Sequence, residues 1–103
     1  MLDKATVAGY AKRYADVIVE KYNPHAVVLF GSYVNGNPHE HSDIDVAVVF
    51  NGFNGDWLDV SKDFWRISSN ISYNIEPHLL DTADDKSGFA DYIMRTGNVI
   101  YQQ

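Results

Sequence analysis

A run of five apolar residues, Ala26 to Phe30, constrains the fold of this chain more than any other feature of the sequence. The run is rich in valine and has no charged residue, which is typical of a strand buried on both faces. A second apolar stretch, residues 43–50, follows a polar segment that contains Asn35-Gly36 and Asn37-Pro38. These turn-forming pairs could close a hairpin, so the two stretches predict neighbouring strands.

Segments with helical periodicity flank these strands, because apolar side chains recur there at three- and four-residue spacing. Gly97 is placed like a helix C-cap. The resulting order, α-β-β-α-β-α-β, predicts a small α/β (α+β) fold with a mixed sheet and flanking helices, in one domain over residues 1–103. The predicted elements are a helix over 3–22, strands over 26–30 and 43–50, a helix over 56–70, a strand over 72–80, a helix over 89–95 and a strand over 99–101.

Asp43 and Asp45 begin the second predicted strand and lie on one face of it. Residues i and i+2 of a strand point to the same face, roughly 6.5–7 Å apart. Two like charges at the mouth of a buried strand repel each other and are costly to desolvate. A hard cation such as Mg²⁺ binds a few carboxylate oxygens and takes its other ligands from water and phosphate. The pair therefore predicts a metal site of the kind that positions a phosphorus atom for in-line attack.

Gly31-Ser32 follows directly after the first predicted strand. A glycine there lets the backbone approach a ligand closely, because no Cβ intervenes. The Ser32 hydroxyl and the free N–H groups of the next turn or short helix could then hold a phosphate. Phosphoryl-type transfer needs little beyond positioning and charge neutralisation, so these residues and the two aspartates could suffice for it.

A third carboxylate, Glu76, lies in the third predicted strand. If that strand pairs beside the second, Glu76 would point into the same cleft and act as a metal ligand or general base. The alternative is an acid on an edge strand, which the following Pro77 favours.

The pattern Gly31-Ser32, ten residues, then Asp43-Ile44-Asp45 resembles the motif of the DNA polymerase β-like nucleotidyltransferases. The fuller string GSYVNGNPHEHSDIDVAVV is similar to the short stand-alone members called minimal nucleotidyltransferases, and the resemblance extends across the chain. It implies a nucleotidyltransferase fold like the palm of polymerase β. It further implies that Gly31 and Ser32 contact nucleotide phosphate, that Asp43 and Asp45 bind Mg²⁺, and that Glu76 takes the third acidic position.

The resemblance also implies an activity and a partner. Family members transfer a nucleoside monophosphate from a nucleoside triphosphate to a hydroxyl. Many oppose a small helical HEPN-type protein as antitoxins, in some cases by attaching AMP to a tyrosine. The expected donor is ATP or another nucleoside triphosphate, and the expected acceptor is a protein hydroxyl activated by Glu76. Mg²⁺ is the expected cofactor, as one ion or two.

One departure from the family pattern opens a second interpretation. Many active members have an arginine shortly after the Gly-Ser pair, where this chain has Val34-Asn35. Arginine clamps phosphate in a bidentate way that asparagine cannot. The alternative function is a nucleotide-binding module, with weak or no catalysis, that neutralises a HEPN-type partner by direct contact. A complex in which a second subunit supplies the acceptor site lies between the two functions, and a homo-oligomer stays open.

Charge and composition argue against several other classes. The net charge is −6, from 14 acidic and 8 basic residues, and the closest basic pair is Lys12-Arg13. Basic patches supply most of the affinity for polynucleotides, so direct polynucleotide binding is not expected. No apolar run approaches the roughly 20 residues that span a bilayer, and Asp3 and Lys4 do not suit a signal peptide. Because the chain has no cysteine, we expect a cytoplasmic protein without a membrane partner or thiolate metal site.

The histidines and the large aromatic residues have simpler interpretations. His39-x-His41-x-Asp43 superficially resembles the H-x-H-x-D run of binuclear metal hydrolases, but such a site needs further histidines and only His25 and His78 remain. We therefore expect the loop histidines to be surface residues. Five aromatic residues are expected to build the core or a partner surface, namely Trp57, Phe64, Trp65, Tyr92 and Tyr101.

Overall fold

The computed structural model describes residues 2–36 and 43–103. Its elements in chain order are α1 (Lys4–Tyr22), β1 (Ala26–Phe30), α2 (Ser32–Asn35), β2 (Ile44–Phe50), α3 (Trp57–Ile71), β3 (Ile75–Asp81), α4 (Phe89–Thr96) and β4 (Asn98–Gln102). The strands form one sheet in the order β3-β2-β1-β4. β1 runs antiparallel to both β2 and β4, whereas β2 and β3 are parallel. The predicted mixed sheet with flanking helices is therefore confirmed.

The two faces of the sheet have different covers. On one face, Ile44, Val46 and Val48 of β2 are fully buried beneath α1 and α3. On the other, Ala47 and Val49 pack against α4. Burial on both faces explains why β1 and residues 46–50 of β2 are continuously apolar. α4 has eight residues and is about 12 Å long, whereas a seven-residue strand spans about 23 Å, so part of the second face extends beyond this helix.

Asp63 of α3 joins the two helices on the first face. Its carboxylate accepts hydrogen bonds from Lys21 Nζ at 2.6 Å, from the Tyr22 hydroxyl, and from Arg66 at 2.6 Å. These donors, Lys21 first among them, hold the pKa of Asp63 well below its usual range. Burial, with a further contribution from Asp63, raises the pKa of Tyr22 to about 12. Three charged or polar donors therefore converge on one carboxylate between α1 and α3.

Acidic side chains define where the helices begin. Asp3 accepts the Thr6 N–H at 2.7 Å and starts α1, while Asp56 accepts the Leu58 N–H at 2.9 Å and starts α3. α4 begins after Gly88, which has no side chain, and Asp85 binds two N–H groups of its first turn instead. Each carboxylate satisfies helix N–H groups that have no intrahelical partner.

Three local features differ from the sequence predictions. Ser72 ends α3 by donating its N–H to the Ser68 carbonyl, so β3 begins at Ile75 and not at residue 72. Asn35-Gly36 closes α2, with Gly36 as a left-handed cap at φ 81°, and is not a two-residue hairpin turn; Asn37-Pro38 lies outside the described residues. Gly97 is the C-cap of α4, as predicted, but its backbone is extended, at φ −80°.

Among the helices of residues 2–36 and 43–103, none combines the length and the apolar character needed to cross a bilayer. The cytoplasmic location stays a prediction.

Candidate active site

The parallel pairing of β2 and β3 brings Glu76 beside Asp45. The register places these two residues directly opposite each other, and paired residues on neighbouring strands about 4.8 Å apart project to the same face. Glu76 therefore points into the cleft that holds Asp45, which was the condition for its proposed role. β3 is also one of the two edge strands of the described sheet, so Glu76 is on an edge strand and faces the cleft as well.

Gly31 approaches Asp45 from the other neighbouring strand. Phe30, the last residue of β1, pairs with Asp45, and the Gly31 backbone then turns at φ 85°. A Cβ built on Gly31 would overlap the Asp45 carboxylate and lie 3.2 Å from its Cγ. Glycine is thus required twice here, for its backbone conformation and for the space that the carboxylate occupies.

Ser32 begins the short helix α2 at the same end of the sheet. The Gly31 carbonyl accepts the N–H groups of Val34 at 3.0 Å and Asn35 at 2.9 Å. The N–H groups of Ser32 and Tyr33 therefore precede the first intrahelical hydrogen bond. Val34 and Asn35, which stand where the family pattern has an arginine, lie one helical turn after Gly31. The last turn of α2 therefore contains no basic residue. A phosphate contact at Gly31 and Ser32 stays a prediction.

His78 contacts Asp45 and lies near Glu76 in the cleft. Its Nε2 lies 3.2 Å from Asp45 Oδ1, and its ring packs against Phe30 with 4.9 Å between centroids. In the described part of the chain, ligand atoms of Asp45, Glu76 and His78 all lie within 4.8 Å of one another. The side chains of Asp45 and His78 are 22% and 30% exposed. The cluster is therefore partly buried but open to a ligand from solvent.

Asp43 lies just before β2 and is exposed, and among the described residues it is outside the group whose ligand atoms lie within 4.8 Å of one another, namely Asp45, Glu76 and His78. Burial raises the pKa of Glu76; the charge of His78 opposes this shift, whereas Asp45 and Asp43 add to it. In the described part of the chain, acidic side chains from β2 and β3 thus meet at one end of the sheet, with the imidazole of His78 beside them. Carboxylate oxygens and an imidazole nitrogen in this arrangement suit a divalent cation, which would relieve the repulsion. The ligand set Asp43, Asp45 and Glu76 stays a prediction.

The sequence analysis did not identify His78 as part of the site. A signal was present, because Glu76 and His78 are two residues apart and therefore share a face of β3. That spacing becomes informative only when β3 is known to lie beside β2. His39 and His41, expected to be surface residues, fall outside the described residues.

The aromatic residues divide between the core and the exposed surface, and their role as a partner surface stays a prediction. Phe64 is fully buried, and the partly buried Tyr101 packs against the same core. Trp57, Trp65 and Tyr92 are 47%, 48% and 53% exposed, which leaves about half of each side chain for contact with a partner.

The strand order, the glycine turn and the acidic cluster together define a nucleotidyltransferase domain. Residues 13–103 match the family model described as "Polymerase beta, Nucleotidyltransferase". This chain belongs to that family, as a minimal nucleotidyltransferase, and the resemblance drawn from the Gly-Ser and Asp-x-Asp motifs is confirmed.

A curated relative and two solved structures are similar to this chain. A Methanocaldococcus jannaschii protein named as a candidate protein adenylyltransferase, MJ1379, is 38% identical over 39 residues, which make up 38% of this chain and 39% of that protein. The match thus spans well under half of the relative's length. A candidate nucleotidyltransferase from Sulfolobus solfataricus has a TM-score of 0.68 at 21% identity, over 94% of this chain and 81% of that one. A toxin–antitoxin structure with AMP-PNP has a TM-score of 0.63 at 20% identity, over 89% and 73% of the two chains. These two structural likenesses establish the fold.

Proposed function

We propose that this chain transfers AMP from ATP, with Mg²⁺, to a hydroxyl of a protein partner, and that it thereby neutralises a HEPN-type helical toxin. The observation that carries the proposal is the convergence of Gly31, Asp45 and Glu76 at one end of the sheet in a member of the nucleotidyltransferase family. The M. jannaschii relative supports AMP and a protein acceptor through its name. The toxin–antitoxin structure with AMP-PNP supports a nucleotide and a partner.

Each group of the cleft has a defined task in the proposed reaction. Asp43, Asp45 and Glu76 would hold Mg²⁺, which neutralises the triphosphate and supports in-line displacement. Gly31 leaves room beside Asp45, while the Ser32 hydroxyl and N–H donate to a phosphate oxygen. The acceptor oxygen bonds to the α-phosphorus, the bond from that phosphorus to the bridging oxygen breaks, and pyrophosphate leaves. Glu76 would take the proton of the acceptor hydroxyl through a carboxylate oxygen that does not bind the ion.

The test is transfer of label from ATP labelled at the α-phosphate. The purified chain is incubated with Mg²⁺ and the protein encoded beside its gene, and label on that protein is measured. We expect transfer by the wild type and a loss of more than about 100-fold in Asp45→Asn. Asp91→Asn is the control, because Asp91 is an exposed acid paired with Arg95 on α4. Unchanged transfer by Asp45→Asn would remove the aspartate from the mechanism.

A second candidate function is neutralisation of the partner by contact, with little or no catalysis. Two observations favour it. The last turn of α2 has no basic residue, whereas the family resemblance implies an arginine there in many active members, and Trp57, Trp65 and Tyr92 expose large aromatic surfaces. Toxicity of the partner distinguishes the two functions. If Asp45→Asn still neutralises the partner, contact is sufficient; if neutralisation is lost while the complex still forms, chemistry is required.

A further inference from the structure

We propose that His78 is a nitrogen ligand of the active-site cation and gives this site a preference for first-row transition-metal ions such as Mn²⁺ over Mg²⁺. The inference rests on the proposed function, since the cation belongs to the same site, and it deepens that function by specifying the class of ion. It is carried by the position of one imidazole ring.

The ring of His78 is held in place and is not a freely rotating surface group. His78 of β3 pairs with Ala47 of β2, two residues along each strand from the pair of Asp45 and Glu76, so both pairs face the same side of the sheet. Its ring packs against Phe30 at an interplanar angle of 63°, and only 30% of the side chain is exposed. These contacts direct Nε2 towards the carboxylates.

The separations between the donor atoms suit one shared ion. Ligands on one small divalent cation, at about 2.1 Å each, lie between about 3 and 4.2 Å apart. Nε2 of His78 lies 3.2 Å from Asp45 Oδ1, and the largest separation among the ligand atoms of Asp45, Glu76 and His78 does not exceed 4.8 Å. Small side-chain rotations would therefore bring all three donors onto one ion.

An imidazole changes which ion such a site prefers. Mg²⁺ binds oxygen ligands almost exclusively, so a set of carboxylates and phosphates serves it well. An imidazole nitrogen adds affinity for first-row transition-metal ions, least for Mn²⁺ within that series, and adds little for Mg²⁺, which takes oxygen ligands. The alternative role for His78 is to position Asp45 through the hydrogen bond, without touching the ion. In that case its loss would weaken the binding of both ions to a similar degree.

His78→Gln separates these two roles. The glutamine amide can still donate a hydrogen bond towards Asp45, but it has no imidazole nitrogen. The affinities of Mn²⁺ and Mg²⁺ for the intact chain, with a non-hydrolysable ATP analogue present, are measured by calorimetry. We expect a loss of about tenfold or more for Mn²⁺ and less than about twofold for Mg²⁺. Equal losses for the two ions would overturn the proposal.

Pulsed electron paramagnetic resonance of bound Mn²⁺ provides a readout that does not depend on affinity. The wild type should show a ¹⁴N coupling that changes when its histidines are labelled with ¹⁵N, and His78→Gln should lack it. His25→Gln is the matched control, and a His39→Gln, His41→Gln double variant tests the histidines that precede Asp43 in the sequence. Absence of nitrogen coupling in the wild type, or its loss only in the double variant, would overturn the proposal.

The failure of this inference can be told apart from the failure of the proposed function. If AMP is transferred with Mg²⁺ but no nitrogen coupling is seen, the proposed function stands and His78 is not a ligand of the cation. If the nitrogen coupling depends on His78 but no AMP is transferred, His78 is a metal ligand and the proposed reaction is wrong. Because the ¹⁵N experiment uses the wild-type chain, the proposal stays testable even if His78→Gln folds poorly.

Discussion

At the scale of single residues, Gly31 decides whether Asp45 can occupy its place. Its backbone has φ 85°, and a Cβ there would overlap the Asp45 carboxylate. Gly36, at the other end of α2, has almost the same φ, 81°, but within residues 2–36 and 43–103 no atom beyond its chain neighbours lies within 4 Å of the point that a Cβ would occupy there. The two glycines therefore share the backbone requirement and differ in the contact with the site.

This difference gives a prediction for two alanine variants. Each should lower the free energy of unfolding by about 1–2 kcal/mol, because alanine is strained at positive φ. Only Gly31→Ala should also displace Asp45, and we expect it to weaken divalent-cation binding by about tenfold or more. Urea unfolding and calorimetric cation titration measure the two effects. Similar cation affinities in Gly31→Ala and Gly36→Ala would show that the Gly31 contact is unimportant.

The residues that the sequence could identify are those whose relation is local. Gly31 and Ser32 follow an apolar run directly, and the two aspartates alternate along one strand, so their neighbourhood needs only the period of a strand. His78 could not be found in this way. Its contact with Asp45 spans 33 positions and depends on which strand lies beside β2. No periodicity within β3 contains that information.

At the scale of elements, the parallel pairing of β2 and β3 builds the cleft. The helix α3 connects these two strands and packs on the face opposite the cleft. Strand existence and type were predictable from apolar runs and turn residues. Strand order was not predictable from the pattern within each strand. The position of Glu76 depends on that order, since Glu76 would point elsewhere if β3 paired with β1 or β4. The mixed sheet was therefore predictable as a fold class. The place of Glu76 in the cleft was predictable only on the condition that β3 pairs with β2.

Asp63, which links α1 to α3, should make stability depend on pH. Its pKa is lowered on folding from an ordinary value of 3.8, so it stabilises the folded state fully at neutral pH. This contribution is lost as the pH falls through the lowered pKa. Asp63→Asn should cost about 1–3 kcal/mol at pH 7, and its difference from the wild type should narrow below about pH 4.

Urea unfolding of both proteins between pH 7 and pH 3 measures this difference. Comparison with the wild type cancels the acid response of other carboxylates, such as Asp81, whose pKa is lowered by the Gly52 N–H. Asp16→Asn is the control, because Asp16 forms an exposed pair with Lys12 and its loss should change stability by less than about 0.5 kcal/mol. A difference for Asp63→Asn that does not vary with pH would contradict the assignment.

Gly97 shows how closely α4 packs on the sheet. A Cβ there would overlap Val28 and lie 2.8 Å from the Ile93 carbonyl oxygen, so the end of the helix needs a glycine for space and not for its φ. Gly97→Ala should destabilise the protein by about 1–3 kcal/mol. Gly9 lies in the middle of α1, where a Cβ would meet no other described part of the chain within 4 Å, so Gly9→Ala should stabilise the protein by about 0.5–1 kcal/mol. Thermal unfolding distinguishes them, and a stabilising Gly97→Ala would exclude the close packing.

At the scale of the whole molecule, acidic side chains from two strands meet at one end of the sheet. The chain carries a net charge of −6, and Asp43, Asp45 and Glu76 lie together at one end of the face that the short helix α4 covers in part. Burial and neighbouring carboxylates both disfavour the charged form of Glu76. Without a cation, the folded state therefore retains repulsion that the unfolded chain largely escapes. Folding and cation binding should be coupled for this reason.

The last prediction is that a divalent cation raises the midpoint of thermal unfolding through Asp45. A ligand present at 100 times its dissociation constant stabilises a folded protein by about 2.7 kcal/mol, which corresponds to roughly 10–20 °C for a domain of this size. Mn²⁺ or Mg²⁺ should produce such a shift in the wild type and in Asp91→Asn, and a chelator should reverse it. Asp45→Asn should show little shift.

In the chelator alone, however, Asp45→Asn should be at least as stable as the wild type, because it removes one of the repelling charges beside Glu76. Calorimetric scans of the three proteins with and without cation therefore give two opposite orders of stability, and an Asp45→Asn variant that gains as much from the cation as the wild type would place the cation elsewhere.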